Sequence, residues 1–296
     1  MANLKEVRTR IISVKSTMQI TNAMKMVAAA KLRKAQNAVI TIRPYAAKLQ
    51  EIMQDLSASL EDSNENVFTT ARQPEKILFV TVTSNRGLCG AFNVNVVKEA
   101  ARQMKKQFSS QQRKGSISFF CVGKKGADIL KSRGYEVVEK ETAIFDKLNF
   151  ENVVPLAKKL MQEYAEGKYD KIILVYNQFK NAAVQKLQTE QFLPIVESAG
   201  DNTKQTGLKH VDYIFEPGKK EIITELIPKS LKIRFYKALL DSFAAEHGAR
   251  MTAMHQATDN ATELLKNLKL TYNKARQAAI TNEILEIVSG AEALKG

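Results

Sequence analysis

The sequence predicts an α/β protein: a long antiparallel coiled coil of N- and C-terminal helices plus a central Rossmann-like α/β domain. Three observations carry this. Both ends show apolar residues spaced alternately three and four apart. The middle alternates short apolar runs with amphipathic helix patterns. The first 43 residues contain neither Gly nor Pro.

At the N-terminal end, positions 4, 7, 11, 14, 18, 21, 25, 28, 32, 35, 39 and 42 read Leu, Val, Ile, Val, Met, Thr, Lys, Ala, Leu, Ala, Val, Ile. A seam repeating every seven residues is the period of a left-handed coiled coil. Asn3 followed by Glu6 has the form of a capping box. Up to Pro44 such a helix is about 60 Å long, too long for the inside of a small domain. Pro44 should kink or end it, but Leu49, Ile52 and Leu56 continue the pattern. At the other end, Met251, Met254, Thr258, Ala261, Leu265, Leu268, Tyr272, Ala275 and Ala279 repeat the seam. Past Ala279 the register shifts to Ile280, Ile284, Ile287, Ala291 and Leu294, a change in the face offered to a partner. Two seams of one chain, rich in Ala, Thr and Met, can satisfy each other at close approach.

Between them, strands are expected at Lys76–Thr83, Ser116–Val122, Tyr135–Glu139 and Lys171–Tyr176, and helices at Val94–Phe108, Lys125–Arg133 and Val153–Ala165. That alternation implies a mostly parallel sheet covered by helices. Ala183–Ile195 could add an edge strand, and the polar run Glu197–His210 reads as a loop. The expected domains are residues 1–60 (N-terminal coiled-coil helix), 75–200 (central α/β domain) and 211–296 (C-terminal helix completing the coiled coil).

Composition narrows the function. With 296 residues, 44% hydrophobic and 26% charged, the chain fits a globular protein with a real core. No run approaches a membrane span, and the N-terminus lacks the apolar core of a secretion signal. Two cysteines, Cys89 and Cys121, do not make a disulfide framework, so a reducing compartment is expected. The net charge of +14 suits an acidic partner or a solvated helix face. It is concentrated at the start: residues 1–50 hold Lys5, Arg8, Arg10, Lys15, Lys25, Lys31, Arg33, Lys34, Arg43 and Lys48 against the single acid Glu6.

Candidate chemistry is sparse. Ser84–Asn93, "SNRGLCGAFN", sits where an α/β fold would hold a phosphate, and Gly123–Gly126, "GKKG", has the same placement. Neither matches a dinucleotide or ATP loop, and a tight turn needing glycine accounts for both. Cys89 has no neighbouring His. His210, His247 and His255 give no metal-ligand spacing. Glu283 and Glu286, with Glu292 nearby, share a helix face, and one exposed helix is a poor pocket for acid–base work. No catalytic residue, metal or cofactor is expected. A basic coiled-coil protein binding nucleic acid and a nucleotide-binding enzyme are the rival classes; the first lacks aromatics interleaved with the basic residues of its helix and the second lacks a phosphate motif.

The end segments carry a resemblance. "ITNEILEIVSGAEA", with Ile280, Thr281, Glu283, Glu286, Gly290 and Ala291, resembles the C-terminal signature of the gamma-subunit family of F-type ATP synthases. "QITNAMKMVAAAKL", "SNRGLCGAFN" and "EHGARMTAMHQATDNA" are similar to other motifs of that family, so the resemblance spans essentially the whole chain. It implies a central rotor shaft that couples proton flow to ATP synthesis or hydrolysis and is not itself catalytic. The implied partners are three alpha and three beta subunits, an epsilon subunit and the c-subunit ring, with no nucleic acid. Membrane association would come only through the complex, on the cytoplasmic face of a bacterial inner membrane. The family's cysteine-bearing insertion has no counterpart at Glu197–His210, so thiol switching is not implied, and His255 stands where relatives vary.

The resemblance also assigns residues. Met24, Lys25, Lys31 and Arg33 match the N-helix segment facing an acidic loop on beta. Arg250, Gln277, Thr281 and Glu283 match C-helix positions of contact and coupling with beta. Ile284, Ile287, Val288, Ala291 and Leu294 match the tip in an apolar bearing, and Tyr213 matches the foot on the c ring.

Overall fold

The computed structural model describes residues 4–58, 67–70, 72–195 and 219–293. In chain order the elements are α1 (Leu4–Ala58), β1 (Ile77–Val82), α2 (Phe92–Gln107), α3 (Ser109–Arg113), β2 (Ile117–Val122), α4 (Lys124–Ser132), β3 (Val137–Glu141), a 3-10 turn (Ala143–Phe145), α5 (Phe150–Ala165), β4 (Lys171–Phe179), β5 (Gln185–Leu193) and α6 (Lys219–Ala293). They form two compact units: residues 1–29 with 250–296, and residues 30–249. Asn3, Glu197–His210, Tyr213 and Leu294 lie outside the described residues.

In the larger unit, five strands form one sheet in the order β3-β2-β1-β4-β5. β1 runs parallel to β2 and β4, and β2 parallel to β3, while β5 is antiparallel to β4. Alternation along β1 builds two cores. Leu78, Val80 and Val82 pack with Val153, Ala157, Leu160 and Tyr164 of α5 and with Ile227, Leu231, Phe235 and Leu239 of α6. Ile77 and Phe79 face the other way, onto Val96, Val97, Ala100 and Met104 of α2 and Ala127 and Leu130 of α4. A sheet covered on both faces needs apolar side chains on both, which is why "ILFVTV" is unbroken.

Two local details depart from the expected boundaries, and a third, the run of α1 through Pro44, follows the apolar pattern. β3 begins at Val137 instead of Tyr135, because Gly134 (φ 76°) turns the chain and the Tyr135 N–H donates to the Leu130 carbonyl of the preceding helix. Tyr135 then packs on Phe119 with ring centroids 5.4 Å apart. The short helix α3 was not expected from the sequence. Pro44 does not end α1; both Pro44 and Ile40, whose carbonyl loses its helical donor, are exposed, so water can take that bond.

In the smaller unit, the described seam positions of both helices are buried or half-buried. Val7, Thr21 and Ala28 are buried on α1, and Met254, Ala261 and Leu268 on α6. Positions 4, 11, 14, 18 and 25, and positions 251, 258, 265, 272, 275 and 279, are half-buried.

Candidate functional site

The carboxyl end of the sheet is where a parallel α/β fold offers helix N–H groups to a phosphate. Here the protein's own oxygens take those donors. The Lys124 N–H donates to Asn85 Oδ1 at 3.1 Å, Lys125 N–H to the Ser84 carbonyl at 3.0 Å, and Gly126 N–H to Thr83 Oγ1 at 3.0 Å. Thr83 also sets the glycine requirement. A Cβ on Gly123 would lie 2.2 Å from the Thr83 carbonyl oxygen, and one on Gly126 2.5 Å from Thr83 Oγ1. The "GKKG" motif is thus a close-packing device.

The neighbouring "SNRGLCGAFN" loop is tied internally too. The Ser84 N–H donates to Asn93 Oδ1 at 2.8 Å, and Asn93 Nδ2 donates to Ser84 Oγ at 2.8 Å and lies 3.3 Å from Cys89 Sγ. Cys89 is 2% exposed. Cys121 is fully buried, and burial pushes its thiol up to about 11. A thiol with so little thiolate is a poor nucleophile.

No group of three or more His, Cys, Asp or Glu is placed to hold a metal ion among the described residues. His247 is buried edge-on to Phe243, with ring centroids 4.5 Å apart. His255 faces Asp259 at 3.4 Å on an exposed helix side, and Glu283, Glu286 and Glu292 are all exposed.

The informative surfaces belong to the long helices. Within the smaller unit, Thr258 Oγ1 of α6 lies 2.9 Å from Thr21 Oγ1 of α1, and Thr262 Oγ1 lies 3.5 Å from Met18 Sδ. Position falls by three on one helix as it rises by four on the other, so the helices run antiparallel. The same register sets Leu4 near Ala275. From Ile280 to Ala293 every residue of α6 is exposed, including Ile284 at 55%, Ile287 at 71% and Val288 at 53%. That bare stretch is roughly 20 Å of helix.

The residues assigned from sequence divide clearly. In the smaller unit, Met24 and Lys25 are half-buried at the seam's edge, Gln277, Thr281 and Glu283 are exposed, and Arg250 is 7% exposed. Ala291 is exposed with the rest of the tip. In the larger unit, Lys31 and Arg33 are exposed. Tyr213 and Leu294 lie outside the described residues. Sequence reasoning missed a second set: Ile12, Ile20, Met26 and Val27 are each about 60% exposed on the outer side of α1. They were legible as apolar residues off the heptad seam. None of the described helices is long and apolar enough to cross a membrane.

Comparison with known proteins agrees with this geometry. The family model described as ATP synthase matches residues 3–294. The ATP synthase gamma chain of Flavobacterium psychrophilum is 58% identical over 296 residues, the whole of both chains. That of Flavobacterium johnsoniae is 59% identical over the same span. Among solved structures, a chain of the Tetrahymena thermophila mitochondrial ATP synthase central stalk and c ring is similar at 27% identity with a TM-score of 0.60, covering 80% of this chain and 99% of that one. A chain of the Euglena gracilis mitochondrial ATP synthase rotor has the same fold, with a TM-score of 0.65 over 94% of this chain and 98% of that one.

Proposed function

The chain belongs to the ATP synthase gamma family, and from that premise we propose how its residues serve as the central rotor shaft. The shaft couples proton flow through a membrane c ring to ATP synthesis or hydrolysis on beta subunits, and its partners are the alpha, beta and epsilon subunits and the c ring. The chain carries no catalytic step of its own. It works at the cytoplasmic face of a bacterial inner membrane, held there through the complex.

The mechanism is differential contact. A helix pair with two unlike sides meets three beta subunits differently, and each contact shifts that subunit's conformational equilibrium by the difference in interaction free energy. The observation that carries this is the bare end of α6. Ile284, Ile287, Val288 and Ala291 are exposed on a helix that runs on past the described start of α1. Free apolar surface of that kind suits a sleeve offering few directional bonds, so no single rotor angle is pinned.

Met24 and Lys25, with Lys31 and Arg33, face an acidic loop on beta. Exposed ion pairs are each worth under about 1 kcal/mol, which suits steering more than gripping. Gln277, Thr281 and Glu283 make the C-helix contacts with beta. Arg250, 7% exposed, belongs to the set that couples to beta without offering an exposed side chain. Ile12, Ile20, Met26 and Val27 join the contact surface as its apolar part. Leu294 extends the tip and Tyr213 is the foot on the c ring.

Reconstitution tests this. The chain, mixed with alpha and beta subunits from its source, should enter a complex of three alpha and three beta and raise sustained ATP hydrolysis above alpha and beta alone. A chain ending before Ile280 should enter the complex with lower turnover. Failure of the full chain to enter any complex would sink the rotor assignment. Met24→Lys adds positive charge opposite the acidic loop and should lower the protons pumped per ATP while hydrolysis persists; an unchanged ratio would count against that contact.

A further inference from the structure

Within the larger unit, both long helices touch one feature of the sheet: the hairpin that joins β4 to β5. Arg43 of α1 donates from Nη2 to the Phe179 carbonyl at 2.8 Å and to Asp241 Oδ1 of α6 at 2.9 Å. An Nη2 group carries two N–H bonds, one for each acceptor, and the planar guanidinium fixes their directions. The Asp241 side chain is fully buried and that of Arg43 is 41% exposed. Gly248 of α6 also lies directly on the backbone of this hairpin. A Cβ there would be 3.1 Å from the Ala182 carbonyl oxygen and 3.3 Å from its Cα.

The hairpin is held by its own hydrogen bonds and by the sheet behind it. Asn181 Oδ1 accepts from the Ala183 N–H at 3.0 Å and the Val184 N–H at 2.7 Å, and the Asn181 N–H donates to the Val184 carbonyl at 3.2 Å. Behind it, β4 and β5 pair continuously from Phe179↔Gln185 down to Ile173↔Gln191, and β4 also pairs with the central strand β1. Apolar packing resists separation but has no preferred direction. Directional hydrogen bonds and backbone-on-backbone contact resist sliding.

Resting on the rotor reading, we propose that the β4–β5 hairpin is the torsional anchor of this subunit, and that Arg43 and Gly248 are the positioning residues through which torque passes between the sheet and the two long helices. Arg43 locks α1 to α6 and to the hairpin at once. Gly248 lets α6 seat on the hairpin without an intervening side chain.

The test uses the complete ATP synthase with the chain in place, immobilised through beta, with a bead on the c ring. The spread of bead angle at rest reads torsional stiffness. Arg43→Met should lower stiffness about twofold, because one of the two helix–hairpin holds is gone while the rest remains. Gly248→Ala, whose Cβ would meet the Ala182 carbonyl oxygen at 3.1 Å, should lower it as well, by lifting α6 off the hairpin. If Arg43→Met does not assemble, Arg43→Lys, which keeps the charge with a shorter reach, takes its place. Stiffness equal to the unmodified rotor in the assembled Arg43 and Gly248 variants would overturn the anchor. Failure of the unmodified chain to assemble or rotate would instead strike the rotor reading.

Discussion

The hydroxyl oxygens of Thr21 and Thr258 lie 2.9 Å apart although 237 positions separate them in the chain. Thr258 Oγ1 also lies 2.8 Å from the Met254 carbonyl, and Thr21 Oγ1 3.0 Å from that of Met18. Each hydroxyl has one proton. One threonine therefore donates across the helix pair and the other to its own helix, so the bond pins register without leaving either oxygen unpaired.

Removing either member loses the bond across the pair, while the hydroxyl that remains still donates to its own helix carbonyl. Thr21→Val and Thr258→Val should each lower stability by about 1 kcal/mol, and the double replacement should cost less than the sum. A urea-unfolding double-mutant cycle measures this. Strict additivity would mean that the two hydroxyls do not interact.

Deleting the residues from Ile280 onward should barely change the stability of the chain alone, within about 0.5 kcal/mol, because Ile280–Ala293 is exposed throughout. Thermal unfolding of the full and shortened chains compares them. A large drop would show that the tip packs on something within its own chain.

Asp241 has its carboxyl raised above the ordinary value, first by burial, with the Arg43 hydrogen bond opposing. A raised carboxyl holds its proton more tightly folded than unfolded. Its ionised form therefore costs stability at neutral pH, and the cost is relieved as pH falls through the raised value. Asp241→Asn should leave stability at pH 7 unchanged or higher, within about 1 kcal/mol, since the half-exposed Arg43 keeps the Phe179 carbonyl and water. The gap from wild type should narrow in mild acid. Melting temperatures of both proteins across that range test the sign, and a loss above about 2 kcal/mol at pH 7 would refute it.

Gly126→Ala should destabilise by about 2 kcal/mol, because its Cβ would meet Thr83 Oγ1 at 2.5 Å. Gly123→Ala should be worse, with a contact of 2.2 Å to the Thr83 carbonyl at a φ of 109°. Because the Lys124, Lys125 and Gly126 N–H groups are already bonded within the protein, no heat is expected when ATP is titrated into the isolated chain. Measurable binding would reopen the nucleotide-site reading.

Cys121, with its thiol pushed up to about 11, and Cys89, 2% exposed, should resist maleimide at pH 7.5 until the chain is unfolded. Mass spectrometry with and without denaturant distinguishes the two states. Rapid labelling of either thiol in the native chain would contradict its burial.

Features written in short-range periodicity are legible from the order of residues alone. The seven-residue seam placed Val7, Thr21, Ala28, Met254 and Leu268 inward, because side-chain direction along a helix is fixed by spacing alone. The apolar runs located β1, β2 and β4, because a strand covered on both faces admits little else. What depends on segments far apart in the chain emerges only in the folded molecule. The pairing of Thr21 with Thr258 follows from how two long helices slide into register. The glycines of "GKKG" are required by Thr83, some forty residues earlier, whose atoms fill the space a Cβ would need. The reach of Arg43 to both Asp241 and Phe179 exists only once two helices and a hairpin meet. No local pattern encodes such meetings, because they are set by packing distances and not by the order of neighbours along the chain.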